Sequence, residues 1–356
     1  MTASAEAPMS KGEPADSRGA AEATLTATDA LTPAGVNGSN RRLPEFFVVG
    51  HPKCGTSAMC MMLMQHPQVY LPVKEPRFFV PEQRSRFRQA NSRERPDTLD
   101  DYLSLFSEAG ANQRVGEAST SYLRSEQAAH RIAELQPEAR IIAVLREPAS
   151  FLRSLHLQYV HNHVETVGDF RKAITLEEQR RAGHQIPRLS QAPQRLMYSE
   201  NVNYVEQLRR FHQVFPREQV LVLIYDDFRA DNLAGVRGVL RFLDLDDEVP
   251  IKTMRNKPLR AIRFQFLHQA VRAISIAHRN PRAAGPLSQA INLLTPAEVR
   301  NERLLSLWRR VVYRDPPPPD EQFMLELRRR CKPEVQALSE YLDRDLVALW
   351  GYDKID

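Results

Sequence analysis

Lys53 lies in the segment Gly50-His51-Pro52-Lys53-Cys54-Gly55-Thr56-Ser57, directly after the apolar run Phe46-Phe47-Val48-Val49. A strand, a glycine-bearing loop and then a helix form an arrangement that binds phosphate. Glycine lets the backbone approach the anion, and the first N–H groups of the helix point at it. The helix dipole adds ~0.3–1 kcal/mol, rising toward ~2 kcal/mol in a partly buried site. Lys53 would supply a point charge, and Thr56 and Ser57 would supply hydroxyl donors. The lysine precedes the second glycine, so the segment departs from the GxxxxGK[ST] phosphate loop. The competing reading of this loop alone is an ordinary strand-to-helix turn.

A second segment changes the balance. Ile141-Ile142-Ala143-Val144-Leu145 is the clearest buried strand in the chain, and it ends on Arg146-Glu147-Pro148. Pro148 shapes the turn, and Ser154 falls about one turn into the helix expected from residue 150. An arginine fork with a hydroxyl nearby makes a second anion site. Two such sites at neighbouring strand ends suit a ligand with two separated phosphates.

The elements that must position these loops follow from the apolar pattern. Apolar runs at 46–50, 69–71, 141–145 and 220–225 read as strands, the first of them covered on both faces, and Val115-Gly116-Glu117 leads on toward Tyr122-Leu123. Helical spacing is expected over 56–65, 99–106, up to 136, from 150, and over 204–215. The methionines of the first helix read as core packing. Phe78-Phe79-Val80 is expected to pack beneath the second strand, and 81–100 to form a charged surface loop. Strands alternating with helices predict an α/β domain with a mainly parallel sheet, in which ligands bind beyond the carboxyl ends of the strands. Beyond residue 250 the strand signal fades. Residues 260–284 and 298–313 read as basic helices, 316–319 as a stiff proline linker, and 321–350 as a last helix. The domain therefore spans 43–356, with 255–356 its mainly helical part. Residues 1–42 read as a disordered tail.

Composition narrows the classes. The chain has 356 residues, 42% of them hydrophobic, which is enough to bury a core and excludes a wholly disordered protein. Its net charge of +5 suits small anionic ligands better than a nucleic-acid backbone. Only eight of the 49 basic residues are lysine, so a lysine inside a motif is informative. Cys54, Cys60 and Cys331 form neither a disulfide framework nor a zinc pattern, and they point to free thiols in a reducing, cytoplasmic compartment. No apolar run reaches the roughly 18–20 residues of a membrane span, and residues 1–40 lack the pattern of a secretory signal.

The order strand-PKxGT[ST], then strand-RxPxxxxxS, resembles the two cofactor loops of the PAPS-dependent sulfotransferases, PAPS being 3′-phosphoadenosine 5′-phosphosulfate. Lys74-Glu75-Pro76-Arg77-Phe78-Phe79 is similar to the KExxFF element of the carbohydrate-modifying branch, which includes heparan sulfate sulfotransferases. Gly116-Glu117-Ala118-Ser119-Thr120-Ser121-Tyr122-Leu123 resembles a further family segment, and the similarity runs with gaps over 43–225. The resemblance implies a three-layer, P-loop NTPase-like fold with a mainly parallel sheet flanked by helices. It implies that Lys53, Cys54, Gly55, Thr56, Ser57 and Ala58 hold the 5′-phosphosulfate, and that Arg146 and Ser154 hold the 3′-phosphate. PAPS would be the donor, PAP the product, and no metal is required.

By the same resemblance Lys53 and Glu75 are catalytic. Lys53 would stabilise charge on the departing phosphate, and Glu75 would take the proton from an acceptor hydroxyl. The competing reading of Glu75 is a surface ion pair with Lys74 or Arg77. The expected acceptor is a carbohydrate or a glycosylated or secondary-metabolite alcohol; neither nucleic acid nor a membrane span is expected, and a homo-oligomer stays open. Ala118 stands where heparan-type members carry a lysine, so the resemblance stops short of a glycosaminoglycan assignment. His156, His161 and His163 fall on the helix after the second loop, where packing or exposure competes with a site role. The alternative function is a P-loop kinase or NTPase using ATP and Mg²⁺, with Asp226 and Asp227 as metal ligands at a strand end.

Overall fold

The computed structural model describes residues 42–72, 75–80, 96–187, 193–254, 261–262 and 313–356. In β1 (Phe46–Val48) all three side chains are fully buried, as a strand with layers on both faces requires. It pairs in parallel with β3 (Arg114–Ala118) on one side and β4 (Arg140–Leu145) on the other. β2 (Val69–Tyr70) extends the sheet beyond β3, and β5 (Val220–Ile224) extends it beyond β4. The order is β2-β3-β1-β4-β5, all parallel. The chain leaves β1 toward β2 but leaves β4 toward β5. The connections therefore diverge between β1 and β4, which is where an open α/β sheet forms its ligand crevice.

Helices flank this sheet. They are α1 (Thr56–Leu63), α2 (Leu99–Ser104), α3 (Ala128–Leu135), α4 (Pro148–His161), α5 (Phe170–Thr175), α6 (Glu177–Arg181), α7 (Tyr204–His212), α8 (Tyr225–Ala230) and α9 (Asn232–Phe242). α1 contacts α9, whereas α3 contacts α7. Pro148 at the first position starts α4 two residues earlier than the apolar pattern suggests, because its missing N–H costs nothing there. Phe78, Phe79 and Val80 are buried without forming a strand. The Phe78 ring stacks on Tyr102 with centroids 4.5 Å apart, and Phe79 meets Tyr102 and Tyr122 edge-on.

The carboxyl-terminal region differs from a single helix over 321–350. α10 (Glu321–Leu342) stops at Asp343, which adopts a left-handed φ of 49°, and a separate α11 (Leu346–Leu349) follows. The break turns Trp350 and Tyr352 back onto the domain. Trp350 Nε1 donates to Asp226 at 2.9 Å, and the Tyr352 hydroxyl donates to Glu147 at 2.6 Å. α10 packs on α4 and α7, so one hydrophobic core contains both the strands and the chain end. Residues 261–262 and 313 were expected in helices. They form a short antiparallel ribbon instead, β6 (Ala261–Ile262) and β7 (Tyr313–Arg314), in which cross-strand pairing overrides helical spacing. The remainder of the expected basic helices, the expected tail over 1–41, Lys74 and residues 81–95 of the expected loop lie outside the described residues. Among the described residues no helix is long and apolar enough to cross a membrane.

Two residues at the centre of β3 carry the tightest packing. A Cβ on Gly116 would lie 2.1 Å from the Phe46 ring. Gly116→Ala is therefore expected to destabilise the fold by about 1–3 kcal/mol or more, read as a lower urea midpoint at unchanged slope. Beside it, Glu117 is fully buried and accepts from the hydroxyls of Tyr102 (2.7 Å) and Tyr122 (2.9 Å). Burial pushes its carboxyl up to about 7; bonds from Ser119, Tyr102 and Tyr122 oppose the rise, and the nearby Glu75 charge adds to it. The folded value lies above the unfolded one, so this group's contribution is intact below about pH 4.5 and is lost as pH rises toward 7. Between pH 4 and 8 the wild type should lose roughly 3 kcal/mol relative to Glu117→Gln in urea unfolding. A pH-independent difference would refute the linkage.

Candidate active site

After β1 the backbone keeps bonding to β4: Val49 N–H donates to the Ile142 carbonyl at 2.9 Å and His51 N–H to the Val144 carbonyl at 3.4 Å. Gly50 is needed at this crossing, because a Cβ there would lie 2.7 Å from the Val144 nitrogen. The chain then turns sharply. Lys53 adopts φ 70° and Gly55 φ 84°, both left-handed, a conformation costly for a lysine and natural for glycine. Gly55 is also the N-cap of α1, where no side chain caps the helix. The amino end of α1 therefore has the form that receives an anion.

The second loop is built differently. The Glu147 carboxylate caps α4 itself, accepting from Ala149 N–H at 3.1 Å and Ser150 N–H at 2.7 Å. With its own anion already at the helix end, this loop offers side chains and not helix N–H groups to the cleft. Arg146 is held firmly there. Its Nη1 donates to the Lys53 carbonyl at 3.0 Å, its guanidinium lies 4.8 Å over the Tyr225 ring, and its own carbonyl accepts from Tyr204.

Lys53, Gly55, Thr56, Ser57, Glu75, Arg146 and Ser154 all line one cleft of about 1200 Å³ beyond the ends of β1 and β4. Two expected residues do not: the side chains of Cys54 and Ala58 are buried in the core, so only their backbones are available to a ligand. Burial pushes the Cys54 thiol up to about 12, with Asp226 adding to the effect against Arg146, His51 and Lys53. That keeps it inert. Burial also lowers the Lys53 pKa, and the positive Arg146 lowers it further. Both effects would relax on binding an anion.

Glu75 is held in an unusual conformation. Its φ is 68° and that of Arg77 is 55°, while Glu75 N–H donates to the Ala118 carbonyl at 2.7 Å and Arg77 N–H to Ser119 Oγ at 3.0 Å. The carboxylate accepts from Arg77 Nε at 2.8 Å and from Thr120 Oγ1 at 2.7 Å. The ion pair with Arg77 is thus present, but in the cleft wall, with the two side chains only 26% and 24% exposed. Strained backbone around a charged side chain is characteristic of a functional site.

The structure adds residues that motif reasoning missed. Thr120 anchors Glu75, and Tyr225 supports Arg146 while packing close to Gly55, where a Cβ would lie 3.1 Å from its ring. Arg153 lines the cleft from α4 beside Ser150, Ser154, Leu157 and Gln158. This i, i+3, i+4, i+7, i+8 spacing was a legible signal of one helix face. Arg328 enters from α10, and no local pattern announces it. Of the three histidines, His156 is buried and bonded to the Val167 carbonyl at 2.9 Å, whereas His163 lies beyond the end of α4 at φ 56°. None of the three lines the cleft.

The carboxylates that an ATP–magnesium reading would use are committed elsewhere. Asp226 accepts from Trp350, and Asp227 forms a two-point ion pair with Arg344 at 2.6 and 2.8 Å. Among the described residues there is no group of three or more metal-ligating side chains.

Known proteins resemble this chain in sequence and in fold. A model described as the sulfotransferase family matches residues 44–249. The human bifunctional heparan sulfate N-deacetylase/N-sulfotransferase 3 is 28% identical over 205 residues, 57% of this chain and 22% of the relative. Mouse carbohydrate sulfotransferase 15 is 27% identical over 252 residues, 58% of this chain and 44% of the relative. The chain thus spans between a fifth and a half of these relatives. The crystal structure of a sulfotransferase from Alicyclobacillus acidocaldarius is similar at 29% identity and a TM-score of 0.53, covering 75% of this chain and 99% of that one. With more than half of the chain matched by the model, this protein belongs to the sulfotransferase family.

Proposed function

We propose that this protein transfers the sulfuryl group of PAPS to a hydroxyl of a carbohydrate-like acceptor. The observation that carries the reading is the convergence of Lys53, Glu75, Arg146 and Ser154 on one cleft, from three separate segments of the chain. The names of the heparan sulfate and carbohydrate relatives support the acceptor class. Three free, buried cysteines support a reducing, cytoplasmic setting.

The residues divide the task by position. Lys53 and the amino end of α1 would receive the 5′-phosphosulfate, the lysine countering charge that builds on the bridging oxygen as the S–O bond breaks. Arg146, with Ser154 one turn into α4, would hold the 3′-phosphate, an arginine fork suiting a phosphate better than a point charge. Glu75 would accept the proton of the acceptor hydroxyl as oxygen attacks sulfur in line. To do so it must exchange one of its present hydrogen bonds, from Arg77 or Thr120, for the substrate hydroxyl. Reactant positioning in the cleft supplies the remainder of the rate.

Lys53→Ala should abolish turnover. Glu75→Gln should lower kcat by about 10²–10⁴-fold while PAP affinity, measured calorimetrically, stays near the wild-type value. Near-normal turnover of Glu75→Gln would remove it as the base. Arg146→Ala should weaken PAP binding far more than binding of adenosine 5′-phosphate, which lacks the 3′-phosphate. Equal losses for the two nucleotides would refute the assignment of the second loop.

A further inference from the structure

Tyr204 and Gln207 stand three residues apart on α7, on one face of the helix, and both are buried. From that face each reaches a different anion loop. The Tyr204 hydroxyl donates to the Arg146 carbonyl at 2.9 Å, in the loop after β4. In the loop after β1, His51 donates from Nε2 to Gln207 Oε1 at 2.7 Å, since the Gln207 amide nitrogen is turned to the Glu200 carbonyl. The His51 ring also lies 5.0 Å from that of Phe151 on α4 and 5.6 Å from that of Tyr204, centroid to centroid. Burial keeps this imidazole neutral, its pKa lowered to about 4 against the effect of the Gln207 bond, and Arg124 acts in the same direction as burial. The one N–H of the neutral ring is therefore committed to α7.

His51 is separated from Lys53 only by the stiff Pro52, and Arg146 is itself the cation of the second loop. One helix face thus restrains both cations. The helix is fixed in turn from elsewhere: Val205 N–H donates to Glu334 of α10 at 2.8 Å, and Arg210 donates to the Arg124 carbonyl at 3.1 Å. A direct bond also joins the loops, from Arg146 Nη1 to the Lys53 carbonyl. That bond uses the guanidinium offered to a ligand. The attachments to α7 use buried groups outside the cleft, since neither Tyr204 nor Gln207 lines it.

Two phosphates on one nucleotide bind as a linked pair. Once the first is seated, the second gains from a high effective concentration only where the sites match its reach. Resting on the PAPS reading above, we infer that α7 gauges the separation of the two anion sites, with Tyr204 and Gln207 as positioning residues that select a nucleotide phosphorylated at both its 3′ and 5′ positions. A ligand with one phosphate uses one loop and is indifferent to the spacing. A ligand with two is not.

Calorimetric titration of the full chain with PAP, adenosine 5′-phosphate and adenosine 3′-phosphate separates the spacing of the sites from the strength of either one. Tyr204→Phe keeps the ring beside His51 and removes only the hydroxyl, whereas Gln207→Leu removes the acceptor of His51. Linkage is worth ~10²-fold or more, so the double variant should bind PAP about tenfold or more weakly while each monophosphate stays within about twofold. Tyr204→Phe alone keeps the packing and should shift the ratio of PAP to monophosphate affinity in the same direction. Parallel weakening of all three nucleotides would mark α7 as a general support of the fold and overturn the inference. An affinity ratio left unchanged by Tyr204→Phe would overturn it as well. Wild-type binding of PAP no tighter than that of the monophosphates would instead strike the two-loop donor assignment, so the two readings fail separately.

Discussion

Lys53 and Arg146 are two cations that the fold holds in one half-buried cleft against their mutual repulsion. Water would keep them apart, and burial lowers the Lys53 pKa before Arg146 adds its own charge. The arrangement persists because each group is fixed by something other than an anion. Arg146 donates to the Lys53 carbonyl and lies over Tyr225, and Lys53 is locked in a left-handed loop between Pro52 and Gly55. The sheet supplies the remaining restraint, since β1 and β4 are hydrogen-bonded neighbours whose ends cannot drift apart. Such preorganised charge is available to a ligand without reorganisation on binding.

Holding the second loop requires the far end of the chain. Glu147 is a buried carboxylate at the amino end of α4, and two backbone N–H groups are not its only partners. Tyr352 donates to it, and Arg328 approaches it to 3.6 Å. Since α10 also brings Arg328 to the cleft wall, the last 36 residues both brace the arginine loop and extend its positive surface. Trp350 and Arg344 complete the attachment on Asp226 and Asp227. Acidic residues that follow a strand in a nucleotide-binding sheet would ordinarily suggest a metal. In this protein they are the docking points of the carboxyl terminus.

The opposite wall of the cleft rests on a third segment, the turn carrying Glu75. Its left-handed residues are held by backbone bonds to the end of β3, through Ala118 and Ser119. β3 therefore sets the height of Glu75 above the sheet, as β1 and β4 set that of the cations. The cost is visible in β3 itself, where Gly116 admits the Phe46 ring and Glu117 is buried among tyrosines.

Local pattern and spacing were sufficient for four of the five strands, the parallel sheet and the two loops at the ends of β1 and β4. β3, with Gly116 and Glu117 at its centre, carries no apolar run, and Glu75 was singled out by family resemblance. The features read locally are encoded by contiguous residues: apolar runs that need two covered faces, a glycine where the chain must turn left-handed, and a proline where a helix must start. Spacing along α4 also carried Arg153, though only once the helix face toward the cleft is known. Tertiary structure alone decided the rest. It turned the side chains of Cys54 and Ala58 into the core, paired Glu75 with Arg77 and Thr120, and committed Asp226 and Asp227 to the chain end. It also delivered Arg328 from 182 residues beyond Arg146. Each of these depends on contacts between residues distant in sequence, and neither periodicity nor motif order records which distant charges the fold will bring face to face.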